Sequence, residues 1–178
     1  VSTGLLHPLQ TVPTPELGVE ALPGSFFAVE ASGEALLWAR EIIALLGGRS
    51  LTISPGRHAL YHAAAALAGN GVTAVLAVAL QAAVQAGLTE DEARSALASL
   101  AMTSLRNSAH LGPVEALTGP VRRGDAATVR AHLEALAPSP GLATVYRALA
   151  PQLVELARRA GLAEVHCREV QTVLSEAQ

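Results

Sequence analysis

Lysine is missing from this chain of 178 residues, and its 12 basic residues are all arginine. That absence removes Schiff-base chemistry, pyridoxal phosphate attachment and the lysine of a phosphate-binding loop together. A single cysteine, Cys167, excludes an intrachain disulfide and any multi-cysteine zinc site. Charge is scarce: 15% of residues are charged, and the formal net charge is -3. A nucleic-acid binder carries a basic patch and a high isoelectric point, so none is expected at a value near 6.1. Aromatics are scarce too, at 3%, so core volume falls to aliphatic side chains, chiefly alanine. Hydrophobic residues still make up 51%, which excludes disorder and suits one compact domain, or one plus part of a second. No charged n-region, apolar stretch and cleavage site occur in Val1–Glu20, so no signal peptide is read and a cytoplasmic protein is expected.

The chain changes character at Ser54. Before it, short β-prone runs stand at Gly4–Leu6, Phe26–Val29 and Leu51–Ile53. Between the last two, Leu36, Leu37, Ile42, Ile43 and Leu46 recur at helical spacing and Gly47-Gly48 end the pattern. Strand, helix, strand is the rhythm of an α/β unit, here one whose beginning is lacking. After Ser54 the expectation is all helix. Ser54 and Pro55 suit a helix start, and the run from Pro55 to Ala86 is apolar nearly all round, as in a central helix surrounded by others. Ala63–Leu88 carries no charge, but Asn70, Gln81, Gln85 and the lack of basic flanks or an aromatic belt argue for a buried helix over a membrane span. Thr89 with Glu92 reads as a capping box opening the next helix, to about His110. Residues 112–124 read as a loop. Asp125 caps a third helix to about Leu136, a fourth runs from about Leu142 to Ala160 across Pro151, and the last covers Ala163–Glu176. The domains are expected to be residues 1–54, an incomplete α/β unit, and residues 55–178, all helical.

Few residues advertise chemistry. Gly69-Asn70-Gly71 lies within a helical run, whereas a dinucleotide loop needs a strand, a glycine turn and then a helix N-terminus. His58 and His62 stand four apart on one helix, but without a third ligand type nearby no metal site is expected. Asn70 sits in an apolar helix and must find partners, so it is either helix-to-helix glue or a ligand-facing amide. The polar segment from Gly112 to Asp125, with Arg122 and Arg123, is either a connector or an anion cradle. His7 follows the first strand, the end at which open α/β sheets bind ligands. His166 and Cys167 are adjacent on one helix and point apart, so they form no dyad.

One ordered series is more specific. His7-Pro8-Leu9-Gln10-Thr11, Phe27-Ala28-Val29-Glu30, Leu46-Gly47-Gly48, Tyr61-His62-Ala63-Ala64-Ala65, Asn107, Ala116-Leu117-Thr118-Gly119-Pro120, Arg123-Gly124-Asp125 and His132-Leu133 together resemble the bacterial Rossmann-like proteins that carry domain of unknown function 2520. These are similar in turn to the 6-phosphogluconate dehydrogenase-like reductases, including pyrroline-carboxylate and ketopantoate reductases. The resemblance implies a fold that is mostly α: a helical bundle like the C-terminal domain of 6-phosphogluconate dehydrogenase, preceded by a short α/β remnant of a Rossmann domain. It implies an NADP- or NAD-dependent reductase of a small carbonyl or imine acid, working as a homodimer. His7 and Gln10 would then lie near the nicotinamide, and Asn70, Asn107, Thr118, Arg123 and Asp125 would take substrate-binding positions. Some related reductases take a proton donor from a lysine on the long helix. Lacking one, this chain offers His62 first, since an imidazole titrates near neutrality, and Tyr61 second. The Gly-rich first unit is not in the sequence, and residue 1 is Val rather than Met, so the chain reads as the C-terminal portion of such a protein, inactive alone. The alternative is a non-catalytic helical module for dimerisation or partner binding.

Overall fold

The computed structural model describes residues 2–176. The chain divides into two compact units, residues 1–73 and 74–178. It is mostly helical, with a small sheet in the first unit.

In the first unit, strand β1 (Gly4–Pro8) pairs antiparallel with β2 (Phe26–Ala31), and β2 pairs in parallel with β3 (Arg49–Thr52). Helix α1 (Pro15–Ala21) connects the first two strands; its Pro sits in the first turn and the Thr14 hydroxyl accepts from the Leu17 amide. Helix α2 (Gly33–Leu45) crosses from β2 to β3. Strand alternation aims Phe27 and Val29 at Ala39 and Ile43 of α2, with Leu6, Ala31 and Leu36 around them. The expected apolar set on α2 is thus split, because Leu37 and Ile42 lie on an uncovered side with Trp38.

A long helix, His58–Gln85, follows. It consists of α3 (His58–Ala66), a π-helical turn at Leu67–Gly71, and α4 (Val72–Gln85). Its start is not at Ser54-Pro55. Gly56 takes a left-handed conformation (φ 73°), which no α-helix continues through, so Arg57 becomes the N-cap. A second expectation fails more consequentially. The long helix is not the buried centre of a bundle, since none of its residues is buried. The helices between residues 119 and 176 satisfy one another instead.

In the second unit α5 (Glu90–Leu111) opens on the expected capping box, with the Glu92 carboxylate accepting from the Thr89 amide at 2.9 Å. Two short helices, α6 (Pro113–Ala116) and α7 (Gly119–Arg123), occupy what the sequence presents as a loop. Then come α8 (Ala126–Leu136), α9 (Pro140–Arg159), which continues through Pro151, and α10 (Glu164–Glu176). Their core is Val121, Val129, Leu133, Val154, Ala157, Cys167, Val170 and Val173. Each helix contributes neighbours three or four apart, such as Val129 with Leu133 and Val170 with Val173, so three narrow apolar stripes close on themselves.

The Arg123-Gly124-Asp125 segment is the joint of this unit. Gly124 ends α7 at φ 68°, its amide bonds to the Val121 carbonyl and that of Asp125 to the Pro120 carbonyl, and Asp125 then caps α8. A Cβ on Gly124 would stand 2.7 Å from the His166 Cβ. Left-handed backbone and a clash with α10 act together. Gly124→Ala is expected to lower the unfolding free energy by about 2–4 kcal/mol, read from chemical denaturation.

Candidate functional site

His7 is positioned by strand geometry. It pairs with Ala28, and alternation puts it on the face of the sheet opposite Leu6 and the α2 core. Onto that face α3 brings three rings from its first two turns. The Tyr61 hydroxyl lies 3.4 Å from His7 Nδ1, with the rings edge-on at 5.9 Å. The His62 ring stands edge-on to His7 at 5.5 Å. His58, three and four residues before them, completes the group: its ring lies 6.2 Å from Tyr61 and is stacked on His62 at 6.2 Å.

These four rings differ in surroundings. Burial pushes the Tyr61 hydroxyl above the ordinary tyrosine value, so it keeps its proton at neutral pH and can only give it to a base. His62 is exposed. The Nδ1 atom of His58 is buried without a hydrogen-bond partner. A hydroxyl and an imidazole side by side at the edge of a sheet can deliver a proton to a bound molecule. Among the described residues, no set of three or more His, Cys, Asp or Glu is arranged to hold a metal.

The π turn is a feature the sequence did not disclose. It falls on Leu-Ala-Gly-Asn-Gly, and Asn70 is exposed there rather than buried between helices, which removes the helix-glue reading. Such turns widen a helix by one residue and are frequent at functional sites. Gly69 lies against the loop after β1, where a Cβ would stand 3.6 Å from Thr11 Cγ2. Gln10 in that loop is engaged locally: its amide nitrogen donates to the Ala21 carbonyl and Ser25 hydroxyl, and its oxygen accepts from the Thr11 amide.

In the second unit, Asn107 is exposed on α5, Thr118 stands exposed at the start of α7, and Arg123 is exposed at its end. Asp125 is occupied, accepting from the Thr128 amide at 3.0 Å and its hydroxyl at 2.7 Å; the amide bond, then the hydroxyl, hold its carboxyl below the ordinary value. The Arg122 guanidinium donates to the Ala160 carbonyl. His132 lies 3.0 Å from the Tyr146 hydroxyl. Within the first unit, then, the structure gathers His7, Tyr61 and His62. The residue that sequence reading missed is His58, weighed only as a metal ligand, although its spacing from Tyr61 and His62 was the signal.

A short α/β segment leading into helices is an architecture shared with solved structures. Protein TM1727 from Thermotoga maritima superposes with a TM-score of 0.72 at 23% identity, over 88% of this chain and 62% of that one. A putative NADP oxidoreductase from Bacteroides fragilis gives 0.67 at 23%, over 86% and 57%. These likenesses concern the fold, and the chain spans under two thirds of either relative's length. A comparison with curated proteins gave no match. Residues 25–153 match the family described as domain of unknown function DUF2520, and the chain belongs to that family.

Proposed function

We propose that this chain is the C-terminal, substrate-cleft and dimerisation portion of a cytoplasmic NAD(P)-dependent reductase acting on a small carbonyl or imine acid. The observation that carries the reading is the His7–Tyr61–His62 group at the end of β1. The fold neighbour named as a putative NADP oxidoreductase supports a nicotinamide cofactor, NADP or NAD. The donor set suits the nicotinamide end of such a cofactor: a tyrosine hydroxyl and two imidazoles grouped at the end of a strand. The Gly69-Asn70-Gly71 turn is π-helical and is no cradle for the pyrophosphate.

The cofactor supplies a hydride when bound. The chain's own part is the proton. His62 is exposed, and an imidazole can act as a general acid near neutral pH, so it is the general acid of this reading. Tyr61 stands next to it, its hydroxyl 3.4 Å from His7 Nδ1. Asn70, with its exposed amide, is assigned to the substrate, and Asn107, Thr118 and Arg123 remain substrate-binding candidates. Gln10 and Asp125 can serve a ligand only by giving up the bonds described above.

The test is hydride transfer. Protein from the full reading frame, extended upstream of Val1, is mixed with NADPH or NADH and a panel of 2-oxo acids and cyclic imine acids. Consumption of reduced cofactor by one of these classes is expected; no consumption with any substrate sinks the reading. The second reading, a dimerisation module without catalysis, is favoured by the uncovered long helix and predicts that null result together with a stable dimer.

A further inference from the structure

We propose that His7, His58 and His62 form a recognition site for a small oxyanion, a carboxylate or a phosphate, at the start of the long helix. The inference adds a ligand class to the site assigned above, and it stands on the side chains alone.

Three imidazoles come together here, and among the described residues none makes an ion pair. The His62 ring lies 5.5 Å from His7 and 6.2 Å from His58, centroid to centroid, and among the described residues no set of three or more His, Cys, Asp or Glu is arranged to hold a metal. Imidazolium N–H groups and the Tyr61 hydroxyl are hydrogen-bond donors, which suit an oxyanion.

The surrounding charges agree. Arg57 stands at the N-cap of α3, no acidic residue occupies the first turn, and no side chain caps it. The Arg49 guanidinium lies 4.1 Å over the Phe26 ring, on the same sheet face as His7. Tyr61 adds a neutral hydroxyl. The one carboxylate from β1, β2 or β3 on this face is Glu30, paired with Leu5 one step along from His7. The buried, unbonded Nδ1 of His58 supplies the independent sign that a partner is missing.

Imidazoles bind anions when protonated, so affinity must fall as pH rises through the ordinary histidine value of about 6.5. The experiment titrates the full chain, without cofactor, with oxalate (a dianion throughout the range) and separately with inorganic phosphate. Imidazole resonances are followed by NMR. Saturable shifts at His58 and His7 are expected, with oxalate binding about tenfold tighter near pH 6 than near pH 8. His58→Gln should weaken binding about fivefold or more, and Glu30→Gln should strengthen it about twofold, each in a chain of unchanged helical circular dichroism. Either probe binding supports the site: preference for oxalate assigns it to a substrate carboxylate, and preference for phosphate to a phosphate group. Absence of saturation with both probes, equal affinity at the two pH values, or a Glu30→Gln chain that binds oxalate more weakly overturns it. A chain that binds oxalate yet transfers no hydride keeps this inference and loses the reductase one; hydride transfer without pH-dependent binding does the reverse.

Discussion

His62→Gln is expected to lower the turnover of the proposed reductase by about 10²–10⁴-fold, with little change in KM. Glutamine keeps the polarity and approximate reach of the imidazole and cannot donate a titratable proton, so the loss falls on the chemical step. The sign of the pH effect follows from the same role. A general acid works only while protonated, so with an imidazole donor wild-type kcat should be highest at acidic pH and decline as pH rises. In the Gln variant that decline should vanish. Tyr61→Phe separates the two candidates. Burial raises the Tyr61 pKa, so a hydroxyl donor would hold kcat flat through neutrality and lose it only in the alkaline range. A flat wild-type profile, with Tyr61→Phe carrying the large loss and His62→Gln a small one, would transfer the role to Tyr61.

The fold was legible where local chemistry writes it. Thr89 with Glu92 announced α5, and Asp125 announced α8; both caps are formed as their residues imply. Helix α1 was legible in principle, because Thr14-Pro15 is an N-cap followed by a first-turn proline, but it hides in a stretch rich in helix breakers. The short helices α6 and α7 are harder: each depends on a Gly and a Pro that serve equally well in a loop. Asp125 also shows why a recurring motif is a poor guide to ligands. Arg123-Gly124-Asp125 is specific as a sequence signature, yet its Gly and Asp are used for turning the chain and capping a helix.

The candidate site divides along similar lines. Tyr61 and His62 could be named from the chain because they sit on one helix. That His7 meets them is tertiary information: it depends on where the chain places the start of α3 relative to β1. The π turn at Asn70 was unreadable for another reason. Helical periodicity predicts a continuous helix through Leu67–Gly71, and inserting one residue into the ladder leaves the composition unchanged.

The least legible property was what the long helix packs against, and it leads to the second large effect. An apolar helix reads as buried, yet sequence cannot say by what. Here a helix of 28 residues, with an 18-residue stretch of mean hydropathy 1.9, has no residue buried by the described residues. By length and composition the same helix could cross a membrane. A second copy is the cover we propose, consistent with the dimer proposed above. Leu60 and Leu67, two turns apart on α3 and the π turn, are 66% and 74% exposed and make the sharpest probes. Fully burying a leucine is worth about 1.5–3 kcal/mol, and in a two-fold interface each substitution is felt twice. Leu67→Arg therefore removes about 3–6 kcal/mol of association free energy, before any cost of desolvating the guanidinium. The dimer dissociation constant should rise at least about 100-fold, shifting a micromolar solution from dimer to monomer in sedimentation equilibrium. Helical circular dichroism should persist, because Leu67 supports no core of its own unit. A wild-type chain that is monomeric at micromolar concentration, or one that floats with lipid vesicles while Leu67→Arg does not, would remove the second copy as the partner of this helix.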